Sequence, residues 1–279
     1  MNTKKIRVKD ILAYAAVYIS TGLTVLLLAG IIIYILFRGI GAVTPTFLTS
    51  VTSVLRGTVG IAGNIINTLY IVLISMVIAT PIGIGSAIYL NEYAKPGRLV
   101  TVIEFATETL SGIPSIIFGL FGMLFFGETL GFGYSIITGS LTLILMVLPM
   151  ITRNTQEALK TVPDSYRSGA IGLGAGKWHM IRTGLLPSAI PGIMTGIVLS
   201  VGRIVSESAA LLFTAGSSKK IAENIFHSGG SMTVQLYLSA TSEGDFETAF
   251  GIAVVLLVLV LIINQVTKIF ARKLDNTRK

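Results

Sequence analysis

Between residues 59 and 90 the chain carries no charged side chain. About 20 apolar residues in a helix cross a hydrocarbon layer roughly 30 Å thick, so this run is long enough to span a membrane and too apolar for a water-facing element. Five further runs, at 11–37, 102–126, 134–151, 190–215 and 246–269, are long and apolar enough to join it. Hydrophobic residues make up 52% of the chain and charged ones 12%, with mean hydropathy +0.82, well above a soluble domain. The prediction is an all-α fold, a polytopic membrane helix bundle of six transmembrane helices in one domain. Pro81, Gly83 and Gly85 are expected to kink the second, over-long run. The first run is too long for the core of a secretory signal and lacks a small-residue cleavage site, so it is read as a retained span.

A net charge of +8 raises the question of a nucleic acid, but the basic residues are separated by long apolar runs and form no single solvated patch. Membrane topology accounts for them instead. With the N-terminus inside, sixteen basic residues fall in inner segments and four, Arg38, Arg56, Lys219 and Lys220, in outer ones, with Arg203 inside a span. That asymmetry places both termini in the cytoplasm by the positive-inside rule. The largest inner segment is then 152–189 and the largest outer one 216–247.

Cysteine is absent, which excludes disulfides, thiolate nucleophiles and Cys-based metal sites. With only His179 and His227 as imidazoles, no metal centre is expected. The stretch GAIGLGAGKWHMIR from Gly169 resembles a phosphate-cradling loop at first sight. A P-loop needs glycine at the position of Ile171 and Ser or Thr at that of Trp178, so the spacing fails. The dinucleotide pattern fails too, because its third glycine falls on Lys177 or His179, and no strand precedes it. The segment reads instead as helix, turn, helix, opened by Pro163 and Asp164 and broken at Gly174 to Gly176.

Within that segment Ser168-Gly169-Ala170, Gly174, and then Gly184, Leu186 and Pro187 resemble the EAA loop of ABC importer permeases. Ser168 stands where that family usually has Glu, and Gly184 where it usually has an aliphatic residue. TPIGIGSAIYLNEY from Thr80, SGIPSIIFGLF from Ser111, GRIVSESAALLFT from Gly202, VPDSYR from Val162 and MTVQLY from Met232 narrow the resemblance to the permease subunits of phosphate importers. Phe118-Gly119-Leu120-Phe121 and Ala209 to Phe213 favour one of the two such subunits over its partner. The resemblance implies a cytoplasmic coupling helix seated in an ATPase subunit, present in two copies. It also implies a second permease subunit, and an extracytoplasmic phosphate-binding protein that docks on 216–247, where Glu243, Asp245 and Glu247 lie. ATP and magnesium then belong to the partner ATPase, with no cofactor on this chain, and Trp178 and His179 make contacts beneath that ATPase. Alternating access driven by ATP is the implied mechanism. The readings set against it are the partner permease, a molybdate or sulfate permease, and a secondary transporter.

Residues independent of any family point to the path. Arg203 and Glu207 lie deep in the fifth run, and an ionisable side chain at mid-membrane costs roughly 2.5–3.5 kcal/mol on insertion scales. Their spacing of four predicts a shared helix face on which they pair, continued by Ser200, Gly196 and Gly192. That face is expected to line the route, with Arg203 attracting the anion and Glu207 limiting how tightly it is held. The alternative is a structural ion pair in a small-residue helix seam. Arg153 aligns with a family arginine implicated in phosphate movement, its alternative being a cytoplasmic anchor. Glu104 and Glu108, another four-spaced pair, are expected to be structural.

Overall fold

The computed structural model describes residues 8–53 and 57–276. Of the basic residues that set the expected orientation, Lys4, Lys5, Arg7, Arg56, Arg278 and Lys279 lie outside them. The first span is α1 (Val8–Gly39), followed by a short α2 (Pro45–Thr49) and a hairpin of β1 (Val51–Ser53) and β2 (Thr58–Ile61). The hairpin is antiparallel, with Val51 opposite Ile61 and Ser53 opposite Thr58. Next come α3 (Ala62–Ile88), extended by a π-helical turn at Tyr89–Tyr93, α4 (Arg98–Gly112), and α5 (Ser115–Gly122), extended by a π stretch at Met123–Thr129. The bundle is completed by α6 (Ile136–Lys160), α7 (Asp164–Gly172), α8 (Lys177–Met180), α9 (Leu186–Ser206), α10 (Ala209–Thr214), α11 (Met232–Thr241) and α12 (Phe246–Asn276). Following the charge asymmetry, the end that carries α7 and α8 is labelled inner and the opposite end outer.

Five helices of the described residues are long and apolar enough to cross a membrane, or up to six when the bent pair α4 and α5 counts as one span. The third run, expected over 102–126, is divided by that bend. The two helices meet at 104° because Pro114 pushes its predecessor out of the helical region, and Ile113 is extended at φ −73°, ψ 132°. Pro81, by contrast, lies inside α3 without interrupting it. The fourth span reaches Lys160, past its expected end at Ile151, and the helix beginning at Lys177 continues through a π stretch at Ile181–Leu185 into α9. The non-helical inner connection is correspondingly shorter than 152–189.

In lipid the hydrophobic effect does not drive helices together, so close packing and satisfied polar groups must do so. α6 shows both. Ser135 caps its start by accepting the N–H of Thr138, and Ser140 and Thr142 return their hydroxyls to the carbonyls of Ile136 and Thr138 at 2.8 Å each. α6 is the centre of the bundle, with α3 on one side and α9 on another, and Leu143, Val147 and Ile151 are buried in the main core with Ile71 of α3 and Ile204 of α9. On α9, Gly192 and Gly196 let the two backbones approach: a Cβ at Gly196 would stand 2.6 Å from the Cβ of Asn154. α1 is peripheral and leans on α12 at its outer end, where the rings of Tyr34 and Phe250 meet edge to face at 5.6 Å.

Candidate functional site

Of the candidate site residues, Arg203 and Arg153 are both exposed. Arg203 sits in the last turn of α9 on the chain's own surface, on a stripe with Thr195, Leu199 and Ser206. It makes no ion pair among the described residues. Arg153 projects from α6 into a cleft of about 220 Å³, facing Glu104, Thr107 and Glu108 of α4 and Gln156 of its own helix. Because Gly196 abuts Asn154 and Gly192 abuts Ala158, α6 and α9 run in opposite directions with these residues level. Arg203 therefore lies about 10 Å farther along the bundle axis than Arg153, at about 1.5 Å per helical residue.

The expected pairing of Arg203 with Glu207 is not formed. α9 ends at Ser206, and Glu207 has left the helix at φ −79°, ψ 125°, so the four-residue spacing no longer puts the two side chains on one face. Glu207 is 8% exposed. Its Oε1 accepts the N–H of Ala210 at 3.1 Å, and its carbonyl accepts the hydroxyl of Thr233 at 2.8 Å. The carboxylate caps α10 and is unavailable to Arg203. The continuation of that face through Ser200 is also corrected. Ser200 is 0% exposed, donates its hydroxyl to the Gly196 carbonyl at 2.8 Å, and belongs with Gly192 and Gly196 to the seam against α6. The counter-charges instead gather at the inner arginine, where Glu104 and Glu108 share its cleft.

The inner loop is the helix–turn–helix expected from Pro163, Asp164 and the glycines. Ser168 returns its hydroxyl to the Asp164 carbonyl at 3.0 Å and is exposed, as is Gly169. Ala170 packs inward against the cluster of Ile88, Leu159, Val162, Met180 and Leu185, together with Leu186. Gly174 has φ +80°, a left-handed conformation that favours glycine. There the N–H of Ala175 returns to the Ala170 carbonyl at 2.9 Å and ends the helix. Pro187 stands second in α9, immediately after the π stretch Ile181–Leu185 through which the helix from Lys177 continues. The tip presents Tyr166, Ile171, Leu173 and Trp178 to the outside, Leu173 at 90% exposure, an apolar rim of the kind that marks an interaction site.

Residues missed by sequence reasoning hold the loops in place. Arg167 of α7 forms a 2.8 Å ion pair with Glu92 in the turn that ends α3. The Glu92 hydrogen bond raises the guanidinium's pKa against the opposing effect of burial. At the outer end, Asn64, Asn67 and Thr68 of α3 bond the backbone around residues 220–232. Two asparagines three apart inside an apolar run are a readable signal, since an amide in that setting needs partners. Among the described residues no cluster of three or more metal-ligating side chains occurs.

Residues 79–276 match the family described as Binding-protein-dependent transport system inner membrane component. The chain is 37% identical over 210 residues to the probable ABC transporter permease protein YqgI of Bacillus subtilis (strain 168), covering 75% of this chain and 71% of that one. It is 34% identical over 271 residues to the phosphate transport system permease protein PstA 1 of Mycobacterium tuberculosis (strain CDC 1551 / Oshkosh), covering 94% and 88%. The fold is shared with the crystal structure of a bacterial alginate ABC transporter in complex with an alginate pentasaccharide-bound periplasmic protein, at TM-score 0.73 and 15% identity over 96% of both chains. It is shared also with an inward-facing MetNI methionine ABC transporter, at TM-score 0.62 and 19% identity over 75% and 93%.

Proposed function

The chain belongs to the family of binding-protein-dependent transport system inner membrane components, a multi-pass membrane transport subunit, and we propose that it forms half of the phosphate path of an ATP-driven importer. The observation that carries this reading is the 34% identity to a phosphate permease over 94% of the chain. In this reading both termini are cytoplasmic, the α7–α8 loop seats in one of two ATPase subunits that hold ATP and magnesium, and a second permease covers the Arg203 face. A phosphate-binding protein docks on the outer segment.

Phosphate is drawn first to Arg203, whose guanidinium offers several donors and no competing carboxylate on its own helix. It then passes to Arg153, about 10 Å farther in by the helical rise. There Glu104 and Glu108 compete for the same cation, so the anion is held loosely enough to leave. Glu207 contributes by fixing the start of α10, and Ser200 by filling the α6–α9 seam.

The test uses the complex purified with its ATPase and second permease in sealed vesicles. Replacing Arg203 or Arg153 with Gln is expected to lower ATP-driven phosphate uptake about tenfold or more, the loss of one to two charge-assisted bonds, while assembly and ATP hydrolysis persist. Unchanged uptake in both variants overturns the path. Uptake without any ATPase points to a secondary transporter, and preference for molybdate or sulfate over phosphate overturns the substrate.

A further inference from the structure

We propose that Glu92 and Arg167, supported by Tyr93 and Lys177, form a permanent joint through which movement of the α7–α8 loop is delivered to the second span. This rests on the reading above that the loop receives motion from an ATPase. The inference concerns where that motion goes next.

Four elements meet at the Arg167 guanidinium. Nη2 donates to Glu92 Oε1 at 2.8 Å and to the Leu159 carbonyl at 3.1 Å, while Nη1 donates to Asp164 Oδ1 at 2.9 Å and to the Val162 carbonyl at 3.2 Å. It thus joins the end of α3, the C-terminal carbonyls of α6, the loop that follows and the first turn of α7. The Leu159 carbonyl in the last turn of α6 also accepts the Val162 N–H at 3.4 Å, and a cation beside it meets the negative end of the helix dipole. The Glu92 side chain is 5% exposed, and Asn91 donates to the same oxygen at 2.6 Å. A carboxylate this buried is held in one place.

The other limb of the loop reaches the same turn. Beyond Gly174, Lys177 places its ammonium 5.0 Å from the ring centroid of Tyr93, within cation–π range. Beneath both contacts, Ile88 packs in one apolar cluster with Leu159 and Val162 before the loop and Met180, Ile181 and Leu185 after it. Both limbs therefore grip the five residues Tyr89–Tyr93, a π turn closed by the Ala94 N–H on the Tyr89 carbonyl at 2.8 Å. The exposed tip beyond them is attached to the bundle through this grip and through the helix into α9. Such a contact resists shear where an apolar contact alone slides, because separating the pair leaves the buried Glu92 carboxylate without its counter-charge.

The experiment measures phosphate moved per ATP hydrolysed in vesicles holding the complete complex. The parental complex must first show ATP-dependent phosphate uptake, and its failure to do so defeats the proposed function, not the joint. Glu92→Gln keeps the shape and a hydrogen-bond acceptor and removes the charge. It is expected to assemble and hydrolyse ATP near the parental rate while phosphate moved per ATP falls to about a tenth. A merely structural pair would lower both activities together and leave their ratio unchanged, and that result overturns the joint. A charge swap is unsuitable, because an acid at position 167 would face two carbonyls. The cysteine-free sequence allows a second test that does not depend on Glu92→Gln folding. Tyr93→Cys with Lys177→Cys, bridged by a short bifunctional thiol reagent, is expected to transport as well as the unbridged pair. If the bridge stops transport, the contact opens during the cycle and the proposal fails.

Discussion

The two ends of α3 each hold a loop, and they do so by different chemistry. At the outer end the bonds are neutral and buried. Asn67, 0% exposed, donates from Nδ2 to the Lys220 carbonyl at 2.9 Å and accepts the Ala222 N–H at 3.0 Å, while Asn64 donates to the Gly230 carbonyl and Thr68 accepts from Met232 at 2.9 Å each. At the inner end one charged cluster and one cation–π contact hold a loop whose tip is largely exposed. A neutral network of fixed backbone partners gives a single register and little freedom. The charged joint fixes a loop to a helix end while leaving the loop's outer face open to a partner. One span thus carries a stiff rim at one end and a handle at the other.

The comparison is broken most severely at Asn67. Replacing it with Ala leaves the buried Ala222 N–H without a partner, at about 1–3 kcal/mol, and removes the bond to the Lys220 carbonyl. The expected result is a lowered melting temperature of the detergent-purified protein and loss of uptake, whereas Glu92→Gln leaves the melting temperature nearer the parent. If Asn67→Ala melts like the parent, the outer rim is not stiff. Gly196→Leu is next: its side chain has no room against Asn154, and overpacking of this kind costs typically 1–3 kcal/mol. Helix separation measured by spin labels on α6 and α9 should increase.

Gly174→Ala probes the handle alone. With φ +80° there, a side chain costs about 1–2 kcal/mol locally. Binding of the ATPase should weaken while the isolated subunit melts almost unchanged. The smallest effect concerns Lys219 and Glu243, paired at 2.7 Å on the outer surface. The Lys219 hydrogen bond holds the Glu243 carboxyl below its ordinary pKa, so its stabilisation is present above the usual carboxylate range and is lost as pH falls through the lowered value. For so exposed a pair the amount is about 0.2–1 kcal/mol and screened by salt. Lys219→Met should flatten that acid limb slightly in a melting-temperature series against pH, and an unchanged limb would show that the pair contributes nothing.

The apolar runs, the proline-opened inner loop and its glycine turn were legible because each rests on local chemistry. The end of α9 was not. Nothing in the run from Gly202 to Thr214 breaks a helix; the break is imposed by Thr233, distant in sequence, bonding the Glu207 carbonyl, and by the Glu207 side chain turning to Ala210. For the same reason a four-residue spacing suggested an ion pair that the structure does not contain. Pro114 was visible, but its consequence, a 104° bend, depends on what α4 and α5 pack against. Glu92 and Arg167 lie 75 residues apart, and no periodicity connects them. Of the site itself, Arg203 could be picked out from its position within a span and Arg153 from the family resemblance, while the acidic neighbours of Arg153 could be assigned only in three dimensions.

The helix that begins at Lys177 in the handle and ends at Ser206 runs 30 residues without a turn, about 45 Å at 1.5 Å per residue. Its tightest crossing, at Gly192 and Gly196, is a fulcrum. Arg203 lies about 13 Å beyond it and Lys177 about 25 Å before it. A rigid tilt about that crossing would carry Arg203 about half as far as Lys177 and in the opposite direction, a geared-down displacement.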